Sequence, residues 1–127
     1  MTAPIQVLTA EQAAHATDDP VLTLDNSADA HGVALEGVQC IALHFPKFTD
    51  GRAYSQAFVL RRRGFQGELR ATGDVLVDQL LQMQRTGFSS AVLRADQDAA
   101  LAARLLAQFN GFYQGDALQR APAFQAA

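Results

Sequence analysis

The segment Val38-Gln39-Cys40-Ile41-Ala42-Leu43-His44-Phe45 is apolar at 38, 40, 41, 42, 43 and 45. A nearly continuous apolar run of this length is the pattern of a strand covered on both faces, so the sheet is expected to be built around it. Past Pro46, Thr49 or Asp50 can cap a helix running to about Arg63. The i, i+3 and i+4 spacing of Tyr54, Ala57, Phe58 and Arg61 predicts that this helix packs by that face, and Gly64 is its stop. The same strand-then-helix rhythm repeats on either side. Upstream, Val21 to Leu24 reads as a strand, Asp25-Asn26-Ser27 as a turn and cap, and Ala28 to Leu35 as a modest helix. Downstream, Gly67 to Ala71 is a strand. Asp74 then caps a helix whose Leu76, Val77, Leu80, Leu81, Met83 and Gln84 form a stripe opposite Asp78, Gln82 and Arg85. Gly87 stops it. Ser90 to Arg94 is the next strand, followed by a helix from about Gln97 to Asn110 with Leu101, Leu105, Leu106 and Phe109 inward and Gly111 as its end.

Strands alternating with helices of this length imply βαβ units and a mainly parallel sheet of about four strands. An α/β domain over 21–113 is expected, as an open sheet or as a half-barrel that closes on a second copy. Self-association is expected in either case. Residues 1–20 form a weakly patterned lead-in in which Thr9-Ala10-Glu11-Gln12 can be a capping box opening a short helix through His15. Residues 114–127 lack periodicity and are expected to be loosely held.

Composition bounds the rest. A chain of 127 residues that is 49% hydrophobic and 18% charged suits one core. Its longest apolar runs fall far short of the roughly 20 residues needed to span a bilayer, and its start has no basic n-region, so a cytoplasmic location is expected. Lys and Arg are absent before Lys47, whereas Lys47, Arg52, Arg61, Arg62, Arg63 and Arg70 crowd into a short stretch. That suits a small anion or an acidic partner surface. Nucleic acid is a poorer fit to a sequence pI of about 5.4 with no recognition motif. A lone cysteine, Cys40, cannot form an internal disulfide or a thiolate cluster, and inside an apolar strand it reads as an inert core thiol. Three scattered histidines give no metal triad. Gly-rich dinucleotide loops, Walker loops and the G-x-S-x-G elbow are all missing, so no cofactor is expected.

In parallel α/β sheets, ligands gather at the carboxyl ends of the strands. That rule collects Asp25 and Asn26, then His44, Lys47, Thr49, Asp50, Gly51 and Arg52, then Arg70, Thr72 and Asp74, then Arg94 and Asp96. A turn glycine at 51 lets backbone amides approach a ligand, and Arg52 offers bidentate oxyanion contact, with the Tyr54 and Ser55 hydroxyls in the next turn. Arg52 is expected to point at this rim. Plainer roles compete: Asp25, Asp50, Asp74 and Asp96 as helix caps, Arg70 and Arg94 as their ion-pair partners, Arg61-Arg62-Arg63 as a solvated face opposing the helix dipole. His44 fits either a proton-transfer group or a hydrogen-bonded structural histidine.

Phe45-Pro46-Lys47-Phe48-Thr49-Asp50-Gly51-Arg52-Ala53-Tyr54-Ser55-Gln56 resembles the signature of a bacterial family, domain-of-unknown-function family 934. Gly67-Glu68-Leu69-Arg70-Ala71-Thr72-Gly73-Asp74-Val75-Leu76, with Asp78-Gln79-Leu80 and then Gly87-Phe88, resembles its second block, for a likeness covering roughly 38–113. Ala53 stands where the family commonly has glycine, and the amino-terminal part is shorter than usual. Members are typically encoded beside assimilatory sulfite reductase and are often labelled oxidoreductases without demonstrated chemistry. The resemblance therefore implies an accessory protein of sulfite reduction that docks on sulfite reductase or its electron donor. The alternative is an enzyme or sensor that takes a small oxyanion or sulfur metabolite at the rim.

Overall fold

The computed structural model describes residues 4–14 and 21–116, with side chains as far as 108. Its elements are β1 (Gln6–Leu8), α1 (Ala10–Ala14), β2 (Val21–Leu24), β3 (Cys40–Phe45), α2 (Arg52–Arg62), β4 (Glu68–Gly73), α3 (Leu80–Thr86), β5 (Ser90–Val92) and α4 (Ala99–Asp116). They form an open, all-parallel sheet of five strands in the order β1-β5-β4-β3-β2. The step from β2 through β3 and β4 to β5 always moves to the adjacent strand in one direction. Right-handed crossovers then bring successive helices to the same face, and α2 indeed packs on α3, and α3 on α4.

The register sorts the side chains. Ile41, Leu43 and Phe45 sit level with Leu69, Ala71 and Gly73, and all but the glycine join one apolar cluster with Ala57 and Leu60 of α2 and Met83 of α3. Cys40 and Ala42, pointing to the other face, are also buried but lie outside that cluster. Within the run that suggested a two-sided strand, Cys40–Phe45 is thus buried at every position except His44.

Several expectations need correction. Gln6–Leu8 is a fifth strand, paired with β5 at the sheet edge, where the sequence showed no pattern. Its three residues are too few to display a period. The capping box behind it does form, with Thr9 and Gln12 exchanging backbone-to-side-chain hydrogen bonds of 2.9 and 3.1 Å, while His15 lies outside the described residues. Ala28 to Leu35 is not a helix but a single 3-10 turn at Ala30–Gly32, whose backbone leaves helical angles at Val33 (φ −73, ψ 133). Asp74 does not cap the helix after β4. Asp74, Val75 and Leu76 are pinned as a loop by bonds from the Asp74 amide to the Phe45 carbonyl and from the Arg94 amide to the Val75 carbonyl. The chain turns helical only at Val77–Gln79, a 3-10 turn that runs into α3.

Other corrections concern which way side chains face. On α2 the buried positions are Ala53, Gln56, Ala57 and Leu60, and Phe58 points out, 54% exposed. On α4, Ala102 and Leu106 are buried, whereas Leu101 and Leu105 are exposed. Leu105 and Leu106 there line an apolar groove of about 480 Å³ shared with Val77, Leu80 and Leu81. The helix does not stop at Gly111 but continues to Asp116, so the start of the expected tail is helical. Residues 117–127, and the side chain of Phe109, lie outside the described part. Gly64 and Gly87 do end their helices, at φ 93 and φ 115.

Candidate functional site

At the carboxyl ends of β2, β3, β4 and β5 the side chains are tied to one another more than they are held open. Gly51, not Asp50, is the N-cap of α2 and no side chain caps it; Asp50 instead closes the turn just before it, accepting from the Arg52 amide at 3.0 Å, and its second oxygen accepts from the Asn26 amide group at 2.6 Å. The Asn26 contact joins the loop after β2 to the loop after β3. Asp74 bridges the next pair, accepting from the Phe48 backbone N–H at 2.8 Å through one oxygen and from Arg94 through the other. Gln79 adds a second link between the same two loops by donating to the Phe48 carbonyl at 2.5 Å.

Arg94 is held on both sides. Its Nε and Nη2 form a fork to the two oxygens of Asp96, at 2.6 and 2.7 Å, and its Nη1 meets Asp74. This pairing pulls the Asp96 carboxyl down to about 2 and keeps Asp74 below the usual carboxylate range, with the Phe48 N–H adding to the latter. Arg94 is stabilised in its charged form by both acids. Asp96 was expected to cap α4, but that work falls to Asp98, which accepts from Ala100 and Leu101 at 2.9 and 3.1 Å. Asp25 caps no helix either: its carboxylate accepts from the Ser27 amide, which lowers its pKa more than the attraction of nearby His44 and Arg52 does.

Arg70 is not part of this rim. Because β4 runs on to Gly73, Arg70 lies mid-strand, 5% exposed, and its Nε and Nη2 bond Glu68 Oε2 at 3.0 and 2.9 Å. The same oxygen accepts from Ser90 at 2.6 Å. Arg70 thus pairs with an acid two residues back on its own strand, and not with a cap. Cys40, opposite Glu68 in the register, is 2% exposed, and burial pushes its thiol up, as expected of an inert core thiol.

The remaining candidates separate by exposure. Lys47, Thr49 and Ser55 are exposed, as are Gly51 and the Arg52 side chain, which is 66% exposed and 3.5 Å from Asp50. His44 is exposed on the sheet face level with Thr72 and makes no side-chain hydrogen bond to a described residue, so the hydrogen-bonded structural role does not hold. Tyr54 turns inward instead. Its ring packs edge-on against Phe45 and Phe88, at centroid distances of 5.1 and 6.2 Å, and its buried hydroxyl has no hydrogen-bond partner. Gln56, 5% exposed, donates to the Asp25 and Ala28 carbonyls and so braces the loop after β2 from within.

Sequence reasoning missed Asn26 as the partner of Asp50, and it misjudged the arginine triplet. Arg61 is no solvated cation: it donates to the carbonyls of Gly87, Phe65 and Gly67 and to the Ser89 hydroxyl at 2.8–3.0 Å. Arg63 donates to the Ala30 carbonyl at 2.7 Å, and only Arg62 stands clear, over the Phe58 ring. Helical azimuth carries the missing signal, since position 61 lies on the side of Ala57 and 62 on the side of Phe58.

Chemically, the rim holds Asp25, Asp50, Asp74 and Asp96 against Lys47, Arg52 and Arg94. It is a cross-linked row of loops without excess positive charge. Among the described residues no group of His, Cys, Asp and Glu is placed to hold a metal ion, and no helix is long and apolar enough to cross a membrane. A family model described as a bacterial protein of unknown function, DUF934, matches residues 21–124. No curated protein and no solved structure matches the chain.

Proposed function

Because the chain belongs to the bacterial family of unknown function DUF934, we propose that it works as the resemblance implies, as a docking accessory of assimilatory sulfite reduction. Its partner in this reading is sulfite reductase or the reductase's electron donor. The observation that carries docking over ligand capture is the state of the strand-end arginines. Arg94 is saturated by Asp74 and Asp96, and Arg70 is buried against Glu68. What the rim still offers outward is an exposed, cross-braced loop with Lys47, the 46%-exposed Phe48, Thr49 and Arg52. An exposed, hydrogen-bonded loop with an aromatic and cations is better matched to a protein surface than to a small anion. The chain acts here as a cytoplasmic protein, without a cofactor of its own.

The test is association of the tagged chain with purified sulfite reductase, and separately with its electron donor, at low and high salt. Binding that weakens as salt screens it is the expected result. Absence of association with both proteins at low salt would remove the docking reading. The competing reading, a sulfur oxyanion held by Arg52 beside His44, is supported by the shared influence of both groups on Asp25. It predicts thermal stabilisation by sulfite or sulfate that grows as RT ln(1 + [L]/Kd), whereas docking predicts none.

A further inference from the structure

Helix α2 buries one side and, with its C-cap Arg63, leaves an arc of Arg52, Ser55, Phe58, Arg62 and Arg63 facing out. No carboxylate occurs within its eleven residues. Phe58 is 54% exposed, more than any other large apolar side chain among the described residues, and the Arg62 guanidinium lies 5.6 Å from its ring centroid. The cations of the arc are not equivalent. Arg52 has Asp50 beside it, Arg63 donates to the Ala30 carbonyl with Asp29 nearby, and Arg62 has no carboxylate partner among the described residues. Stacking orders the Arg62 head over an aromatic face without neutralising it.

An exposed phenylalanine with an unpaired guanidinium held against it is poorly used by water. It has the composition of an interface anchor, where aromatic side chains and arginine dominate the binding energy. Position also matters, because α2 follows directly on the Lys47 to Gly51 loop, so the arc continues the surface already assigned to docking.

We infer that the outward face of α2, centred on Phe58 and Arg62, is the principal contact for an acidic protein partner, one that places a carboxylate against Arg62 and an apolar patch over Phe58. The inference rests on the docking reading above and adds the face and the chemistry of the partner. Charge complementarity selects the occupant: Arg52, Arg62 and the C-cap Arg63 face out while the helix itself carries no acid, which repels a basic surface and attracts an acidic one.

The experiment measures binding of the full chain to purified sulfite reductase and to its electron donor by titration calorimetry, for the native chain and for Phe58→Ser, Arg62→Glu and Arg104→Glu. Arg104 is exposed on α4, so Arg104→Glu makes the same change in net charge away from the arc. Melting curves check that each variant is folded. Arg62→Glu is expected to weaken binding by about thirtyfold or more and Phe58→Ser by about tenfold, with Arg104→Glu within about twofold. Native binding with Arg62→Glu and Phe58→Ser both within twofold overturns the assignment of this face while leaving docking intact. An equal loss in Arg104→Glu and Arg62→Glu overturns it too, since net charge alone would then explain the effect. If the native chain binds neither protein, the docking reading itself fails and takes this inference with it.

Discussion

Arg61 shows how much a single side chain can carry in a fold of this size. Its guanidinium closes the turn after α2, through Phe65 and Gly67, and the turn before β5, through Gly87 and Ser89. Truncation leaves three backbone carbonyls without that donor. Arg61→Ala is therefore expected to cost about 3 kcal/mol in chemical denaturation, whereas Arg62→Ala, one residue on, should cost less than about 0.5 kcal/mol. Asp50→Ala removes the turn bond to the Arg52 amide and the Asn26 bond together and should cost about 1–2 kcal/mol. Arg52→Ala should leave stability within about 1 kcal/mol, as a surface change does. The Arg94 fork gives a pH signature. Asp96 and Asp74 have folded pKa values below the ordinary 3.8. Their contribution is complete above the unfolded value and is lost as pH falls from about 4 to about 2. Arg94→Ala should remove that part of the acid sensitivity, so that its melting temperature falls less than the native one across this window.

At the scale of elements, the joints decide geometry. Gly73 and Gly87 both sit at positive φ, and an added Cβ would lie 2.4 Å from the Phe45 carbonyl at the first and 2.8 Å from Arg61 Cγ at the second. Gly73 ends β4 where its backbone presses on the neighbouring strand, which cannot give way. Gly87 faces the flexible stem of Arg61. Gly73→Ala is therefore expected to destabilise more than Gly87→Ala, and both by more than about 1 kcal/mol, with unfolding midpoints as the measurement. The loop after β4 has its own logic. Its Asp was legible as a polar residue before an apolar stripe, but a carboxylate already taken by Phe48 and Arg94 cannot cap. Likewise α4 begins after Asp98 and not after Asp96, because Arg94 claims the earlier acid.

For the whole molecule, the sheet is completed by a strand that the sequence hid. β1 joins β5 at the edge, and the Ile5 amide just before it donates to the buried Gln84 side chain of α3 at 2.9 Å. Gln84→Ala is expected to loosen this edge selectively. Hydrogen exchange at the Gln6 to Leu8 amides should quicken, while exchange in β3 and β4 stays governed by global unfolding. Equal acceleration in all three strands would show that the edge is not a separate unit. The proposed docking surface is a property of the same scale. The face it uses arises because the direction of winding puts α2, α3 and α4 on one face of the sheet, with α2 beside β3 and Arg52 and Arg62 to the outside.

What the sequence determined by itself was whatever depends on neighbours along the chain. The strand at Val21–Leu24, the buried β3 run, the Thr9–Gln12 box and the glycine stops at 64 and 87 all express local periodicity or local hydrogen bonding. The parallel sheet followed from their alternation. Tertiary structure decided the pairing of each charge, because Glu68, Asp74, Asp96 and the Gly87 carbonyl compete for arginines across gaps of two to twenty-six residues. It also decided which of three consecutive arginines is free. A guanidinium is drawn to whatever acceptors the fold brings within its reach, and only the packing of α2 against the turn before β5 put them within reach of Arg61 and left Arg62 to the solvent.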